Sequence, residues 1–279
     1  MANSGKLFLI TGVSGGFGRA FAEAALQAGH RVAGTVRRDA DRVAFEALHP
    51  TAARAVVLDV RGFDAVEPAV RDIEQAWGPI DVLINNAGYG HEGVLEESPL
   101  DELIHQFEVN VFGAVAMIKA VLPGMRSRRR GHIINITSMA GHAGMAGISY
   151  YSGSKFALEG ITDSLAKEVR NFGIRVTAVA PGSFRTDWAG RSMIRTGRAI
   201  ADYDAIFDPV RKRRQAYSGN QAGDPAKAAL AILRIVDAEE PPTHLLLGND
   251  ALHVMDAHLK SFQRELDQWR ALTQSTDFD

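Results

Sequence analysis

Short apolar runs rich in Val, Ile and Leu alternate along this chain with longer segments whose apolar residues recur every three or four positions. The short runs suit parallel strands buried on both faces, and the longer segments suit the helices that cover them. The pattern predicts strands at 6–11, 31–36, 54–58, 80–84, 131–137, 174–180 and 244–247. Between them it predicts helices, including 18–28 stopped by Gly29 and 63–77 closed by Gly78 and Pro79. The expected fold class is α/β: a doubly wound, seven-stranded parallel sheet with helices on both faces. No linker-like tract divides residues 1–279, so a single domain is expected. One stretch, 183–223, escapes the pattern. It is rich in Gly, Arg and Asp with weak helical patches, and reads as a substrate-covering loop or lid.

Composition narrows the chemistry. A hydrophobic content of 46% in 279 residues suffices for a large core. The formal net charge of -2 argues against a nucleic-acid backbone as partner. The basic run Arg126, Arg128, Arg129 and Arg130 reads as cations at a helix C-terminus before Gly131, and Arg211 to Arg214 as a solvated face in a loop-like region. Without cysteine there is no disulfide, thiol nucleophile or thiolate metal site. The nine histidines show no metal-ligand spacing, so no metal is expected. Neither a leader peptide nor a membrane span is expected, and the expected location is cytoplasmic.

The run from Thr11 to Gly18, TGVSGGFG, falls between the first strand and the first helix. Glycines there let backbone amides approach a pyrophosphate, and a helix N-terminus favours its negative charge. Gly12, Ser14, Gly16, Phe17 and Gly18 are the candidate cradle. At the end of the second strand, Val36 stands where an acid would bond a ribose 2′-hydroxyl, and Arg37 and Arg38 follow. Guanidinium groups suit a 2′-phosphate, so NADP(H) is the expected cofactor with NAD(H) as the alternative. Asp59 and Val60 end the third strand; Asn86, Ala87 and Gly88 follow the fourth, at the same sheet edge.

Ser138, Tyr151 and Lys155 supply candidate reaction chemistry. Tyr151 and Lys155 lie four residues apart on one helical face, where a lysine about 4 Å away would lower the phenol by about 3 pK units at an effective dielectric near 20. That predicts a tyrosine poised as a general acid or base near neutrality. Ser138 follows the fifth strand, where its hydroxyl can bind a reacting oxygen, and Asn110 is a polar amide among apolar neighbours in a helical region.

Together TGVSGGFG, Asp59 and Val60, NNAG at 85–88, Asn110, Ser138, YSGSK at 151–155 and PGSFRT at 181–186 resemble the short-chain dehydrogenase/reductase family over nearly the whole chain. The resemblance implies a Rossmann fold and an oxidoreductase that interconverts carbonyl and alcohol by hydride transfer. It implies Tyr151 as acid/base, Ser138 as orienting group, Asn110 as holder of a water relay, and Lys155 as the group that lowers the tyrosine pKa and binds the nicotinamide ribose. Pro181, Gly182, Phe184 and Thr186 would flank the nicotinamide. Members commonly form homodimers or homotetramers.

The region beyond Asp224 is similar to members acting on apolar ketones, so the expected substrate is a small carbonyl or alcohol compound. Tyr89, His91, Glu92, His142, Met145, Trp188 and Met193 are the candidate pocket residues by position. The competing readings are a cofactor-sensing regulatory protein without turnover, an NAD-dependent alcohol dehydrogenase of the same family, and a dehydratase or epimerase. The intact Ser, Tyr and Lys set favours turnover.

Overall fold

A computed structural model describes residues 5–190 and 192–278. Its strands are β1 (Leu7–Ile10), β2 (Arg31–Val36), β3 (Ala53–Val57), β4 (Val82–Asn85), β5 (Gly90–Glu92), β6 (Gly131–Ile136), β7 (Ile174–Pro181), β8 (Met193–Arg195) and β9 (His244–Leu247). The helices are α1 (Gly16–Gln27), α2 (Asp39–Glu46), α3 (Phe63–Trp77), α4 (Leu100–Phe107), α5 (Gly113–Arg128), α6 (Ser149–Val169), α7 (Asp204–Tyr217), α8 (Pro225–Asp237) and α9 (Asn249–Gln274). Seven strands form one parallel sheet in the order β3-β2-β1-β4-β6-β7-β9. The order reverses at β1, between β2 and β4, and that switch point opens a crevice at the carboxyl ends of the strands.

Strand β1 shows why the apolar runs are continuous. Leu7 and Leu9 join the core under α3, α5 and α6, with Met117, Val121, Met125 and Leu165. Phe8 and Ile10 point to the other face and join Phe21, Ala25, Ile232 and Ile235 of α1 and α8. Alternate residues thus enter different cores, and neither face can be polar. At the sheet centre, the Asn85 amide donates to Asn135 Oδ1 at 2.8 Å, and the Asn135 amide donates to Thr162 Oγ1 at 2.9 Å. This chain gives the buried Asn85 and Asn135 amide N–H groups acceptors, and it ties β4 and β6 to α6.

The structure departs from the sequence reading in three places. The stretch 183–223 is not an irregular loop. It contains β8, which pairs parallel with β5 in a separate two-stranded sheet, and α7. The pattern missed it because a strand of three residues carries no measurable period. Arg211 and Arg214 lie on α7 and are not a solvated face: they approach the buried Glu92 at 3.5 and 3.2 Å, with Arg195 at 3.3 Å. Finally, α4 and α5 join through a π-helical turn, Glu108–Phe112. The resulting helix, Leu100–Arg128, is long and apolar enough by length and composition to cross a membrane. Its buried residues Met117, Ile118, Val121 and Met125 belong to the core beneath the sheet.

Candidate active site

The turn after β1 is built to leave backbone donors open. Helix α1 has no side-chain cap and no acidic residue in its first turn, while Ser14 and Gly16 are exposed. Its N-terminal amides are therefore available to an anion. Gly18 admits no side chain: a Cβ would stand 2.2 Å from Gly12 O and 2.5 Å from Asn86 Nδ2. Asn86 closes this contact by donating to Thr11 O at 2.8 Å and Gly12 O at 3.1 Å. Its backbone N–H and that of Ala87 both donate to Thr11 Oγ1 at 2.9 Å. Gly88 faces the Asn110 amide, since a Cβ there would lie 3.1 Å from Oδ1. The cradle is thus pinned by β4 and fits a dinucleotide pyrophosphate.

Other candidate cofactor residues divide in two. Arg37 is exposed beyond β2 and has no ion-pair partner among the described residues. Arg38 is committed elsewhere, because both its Nε and Nη2 donate to Asp41 at 2.8 Å. Asp59 is likewise engaged by Arg61, whose hydrogen bond holds the carboxyl below its ordinary range against an opposing push from burial. Val60 packs against Gly113. Phe184 packs on Phe17 with ring centroids 5.1 Å apart, so both aromatics serve the core beside the crevice. Pro181 ends β7, Gly182 donates to Leu247 O at 2.8 Å, and Thr186 lies against Gly16 across the crevice.

The reacting groups meet at the ends of β6 and α6. Tyr151 and Lys155 are both buried, with the ammonium nitrogen 5.7 Å from the ring centroid and donating to Ile136 O at 2.8 Å. Burial pushes the Tyr151 phenol up to about 12, opposed by the Ser138 hydroxyl and the Trp188 indole. The expected fall toward neutrality is therefore not found. Lys155 sits against a carbonyl and beneath the ring, so desolvation of the phenolate dominates. Burial also lowers Lys155 to about 8, countered by Glu159. A protonated phenol beside a charged amine is arranged to deliver a proton.

Asn110 sits in the π-helical turn, a distortion frequent at functional sites. Its Oδ1 accepts from Tyr89 N at 3.2 Å; its amide donates to Tyr89 O at 3.2 Å and Ser154 Oγ at 3.1 Å. Ser154 donates onward to Tyr151 O at 2.7 Å. Asn110 thus fixes the segment after β4 relative to the helix carrying Tyr151.

The candidate pocket residues also separate. Met145 and Trp188 pack against Ala140, Ile148 and Tyr151, and the Trp188 ring lies 5.0 Å from that of Tyr151. Met193 presses on Gly90 in the small sheet. The Tyr89 ring lies tilted beside that of His105, 5.5 Å between centroids, and burial pushes its phenol up to about 12. His91 is a core residue: it meets Glu102 at 2.6 Å and Thr196 at 3.2 Å. Glu92, 1% exposed, holds the segment 183–223 through Arg195, Arg211 and Arg214. The same segment docks again where Phe207 fills the space over Gly147, four residues before Tyr151. His142 pairs with Glu159 at 3.2 Å.

Glu159 was overlooked in the sequence. Its place four residues beyond Lys155 on α6 puts it on the same helical face, which was a usable signal. It also meets His244 Nδ1 at 3.1 Å. Burial pushes its carboxyl up, yet hydrogen bonds from His142, Thr137 and His244 with the His142 charge hold it below the ordinary value. The partner His244 comes from β9, and only folding brings it there.

Residues 6–194 match the family described as short chain dehydrogenase. The chain belongs to that family. An oxidoreductase of Botryotinia fuckeliana is 36% identical over 274 residues, covering 96% of this chain and 98% of the relative. A 3-ketodihydrosphingosine reductase of Bacteroides thetaiotaomicron is 39% identical, covering 92% and 93%. The crystal structure of a short-chain dehydrogenase from Streptomyces avermitilis superposes with a TM-score of 0.93 at 41% identity, covering 99% of this chain and all of that one. Solved neighbours hold NAD or NADP. This short chain dehydrogenase is accordingly a single-domain Rossmann oxidoreductase, as the motifs implied.

Proposed function

We propose that this chain reduces the carbonyl of an apolar ketone or aldehyde to its alcohol, and catalyses the reverse oxidation, with NADP(H) as the preferred cofactor. The observation that carries the reading is the buried Tyr151 phenol, flanked by Ser138 and Trp188 with the Lys155 ammonium beneath its ring. When bound, the nicotinamide supplies or accepts hydride. The chain does the rest. Ser138 Oγ orients the substrate oxygen, Tyr151 Oη delivers a proton to it on reduction, and Lys155 keeps a positive charge next to the developing phenolate.

Met145, Ile148 and Trp188 give that oxygen an apolar approach, which favours substrates with hydrocarbon beside the carbonyl. The keto group named in the Bacteroides relative supports the same class. For the cofactor, Arg37 alone supports the 2′-phosphate, since Arg38 is spent on Asp41. The segment 183–223 serves as the substrate cover, anchored on Glu92 and Gly147. The test is Tyr151→Phe. Turnover of a ketone panel should fall at least about a thousandfold while NADPH binding stays within about threefold; near-normal turnover would overturn the assignment.

A further inference from the structure

The last helix is unlike the others. The early turns of α9 hold it to the domain: Ala251 is fully buried, Asp250 Oδ2 accepts from Ser183 N–H at 2.6 Å, and the helix touches β9 and the turn after β6. From Phe262 to Phe278 every residue is exposed. At 1.5 Å per residue, the part of the helix from Phe262 to Gln274 stands out by roughly 20 Å. An isolated helical segment of that length is marginal in water, so its order calls for a packing partner.

Its apolar residues supply the seam. Leu252, Leu259, Phe262, Leu266 and Trp269 follow one another at spacings of seven, three, four and three. That alternation of threes and fours is the repeat by which one helix packs along another. With Leu272, these side chains remain between 45% and 60% exposed. They offer roughly 600 Å² of apolar surface per copy, so a symmetric pair would bury about 1,200 Å², within the range of a specific interface. Trp269 near the end of the seam is the residue type that anchors such contacts.

The charges select the occupant. Asp256, Gln263 and Arg270 lie at seven-residue intervals on one flank of the seam. A two-fold axis near Gln263 would set Asp256 against Arg270 of a second, antiparallel copy, twice over. Within its own helix Arg270 has only the exposed Asp267, at 2.6 Å. A lipid surface is disfavoured. Lys260, Arg264 and Arg270 are outnumbered by Asp250, Asp256, Glu265 and Asp267, so the helix has no basic face for anionic headgroups. We propose that α9 is a self-association element, its apolar seam docking in antiparallel register on the same seam of a second copy of this chain.

Sedimentation velocity of the full chain tests this. The wild-type protein should contain a dimer or a dimer-based assembly. The triple variant Leu259→Glu, Leu266→Glu, Trp269→Glu should halve the assembled mass without changing thermal stability of the domain. A wild-type monomer at all concentrations, or an unaltered assembly in the triple variant, would refute the proposal. Asp256→Arg should weaken association at least about fivefold, the surface-pair scale at two sites, and adding Arg270→Asp should restore it; failure of the rescue would refute the antiparallel register. Flotation with vesicles of phosphatidylcholine and phosphatidylglycerol gives the contrary outcome. A monomer that binds them through Trp269 would assign the helix to a lipid surface.

Discussion

Replacing Glu159 with Gln should move the upper pH limit of turnover downward by about 1 to 2 units. Lys155 is the group concerned: buried, bonded to Ile136 O, and lowered to about 8 by desolvation, with Glu159 acting in the opposite sense. The two residues lie one turn apart on α6, roughly 6 Å between their stems. At an effective dielectric near 20, unit charges at that distance interact by about 2.8 kcal/mol, or about 2 pK units. His142 at 3.2 Å and His244 at 3.1 Å take up part of the carboxylate's field, which leaves about 1 to 2 units for Lys155. The sign is fixed: removing an anion disfavours the ammonium, so its pKa falls and activity at alkaline pH is lost first. The assay is the pH dependence of kcat/KM for NADPH-linked ketone reduction, with thermal melts as a folding control. An upper limb that stays in place or moves upward in a folded variant would show that Glu159 does not act on Lys155. The carboxyl carries its own signature. Because its folded pKa is depressed, its stabilisation is present above the unfolded carboxylate value and disappears as pH falls through the folded one. The melting-temperature difference between wild type and variant should therefore shrink in acid.

Three further outcomes follow from the same geometry. Arg37→Asp should shift the ratio of kcat/KM for NADPH over NADH by about 10- to 100-fold toward NADH, the scale of one charge-assisted phosphate contact; an unchanged ratio would remove Arg37 from the cofactor site. Gly18→Ala places a methyl group 2.2 Å from Gly12 O, so nucleotide titration should show affinity reduced at least about tenfold with the turn displaced. Unaltered affinity would mean that the turn does not bind the cofactor. Glu92→Gln leaves three guanidinium groups facing a neutral amide, a loss of about 3–5 kcal/mol for a buried ion pair. Limited proteolysis should then cut within 195–217 faster than elsewhere, and an unchanged cleavage pattern would count against Glu92 as the lid anchor.

What the sequence determined on its own was everything with local periodicity or fixed spacing. The seven strands of the sheet were legible, the central ones because parallel strands covered on both faces need continuous apolar runs, as the opposite fates of Leu7 and Phe8 show. The glycine turn and the pair Tyr151 and Lys155 were legible because their chemistry depends on neighbours within one turn. Tertiary structure decided what depends on partners distant in the chain. It turned the expected depression of the Tyr151 pKa into a rise, because burial of the phenol outweighs the opposing hydrogen bonds from Ser138 and Trp188. It paired Arg38 with Asp41, and made His91 a core residue through Glu102 and Thr196. It joined β5 to β8 across a hundred residues, and drew His244 from the sheet edge to Glu159. Spacing along a chain records which side chains can share a helix face; desolvation and long-range pairing arise only when separate segments close around them.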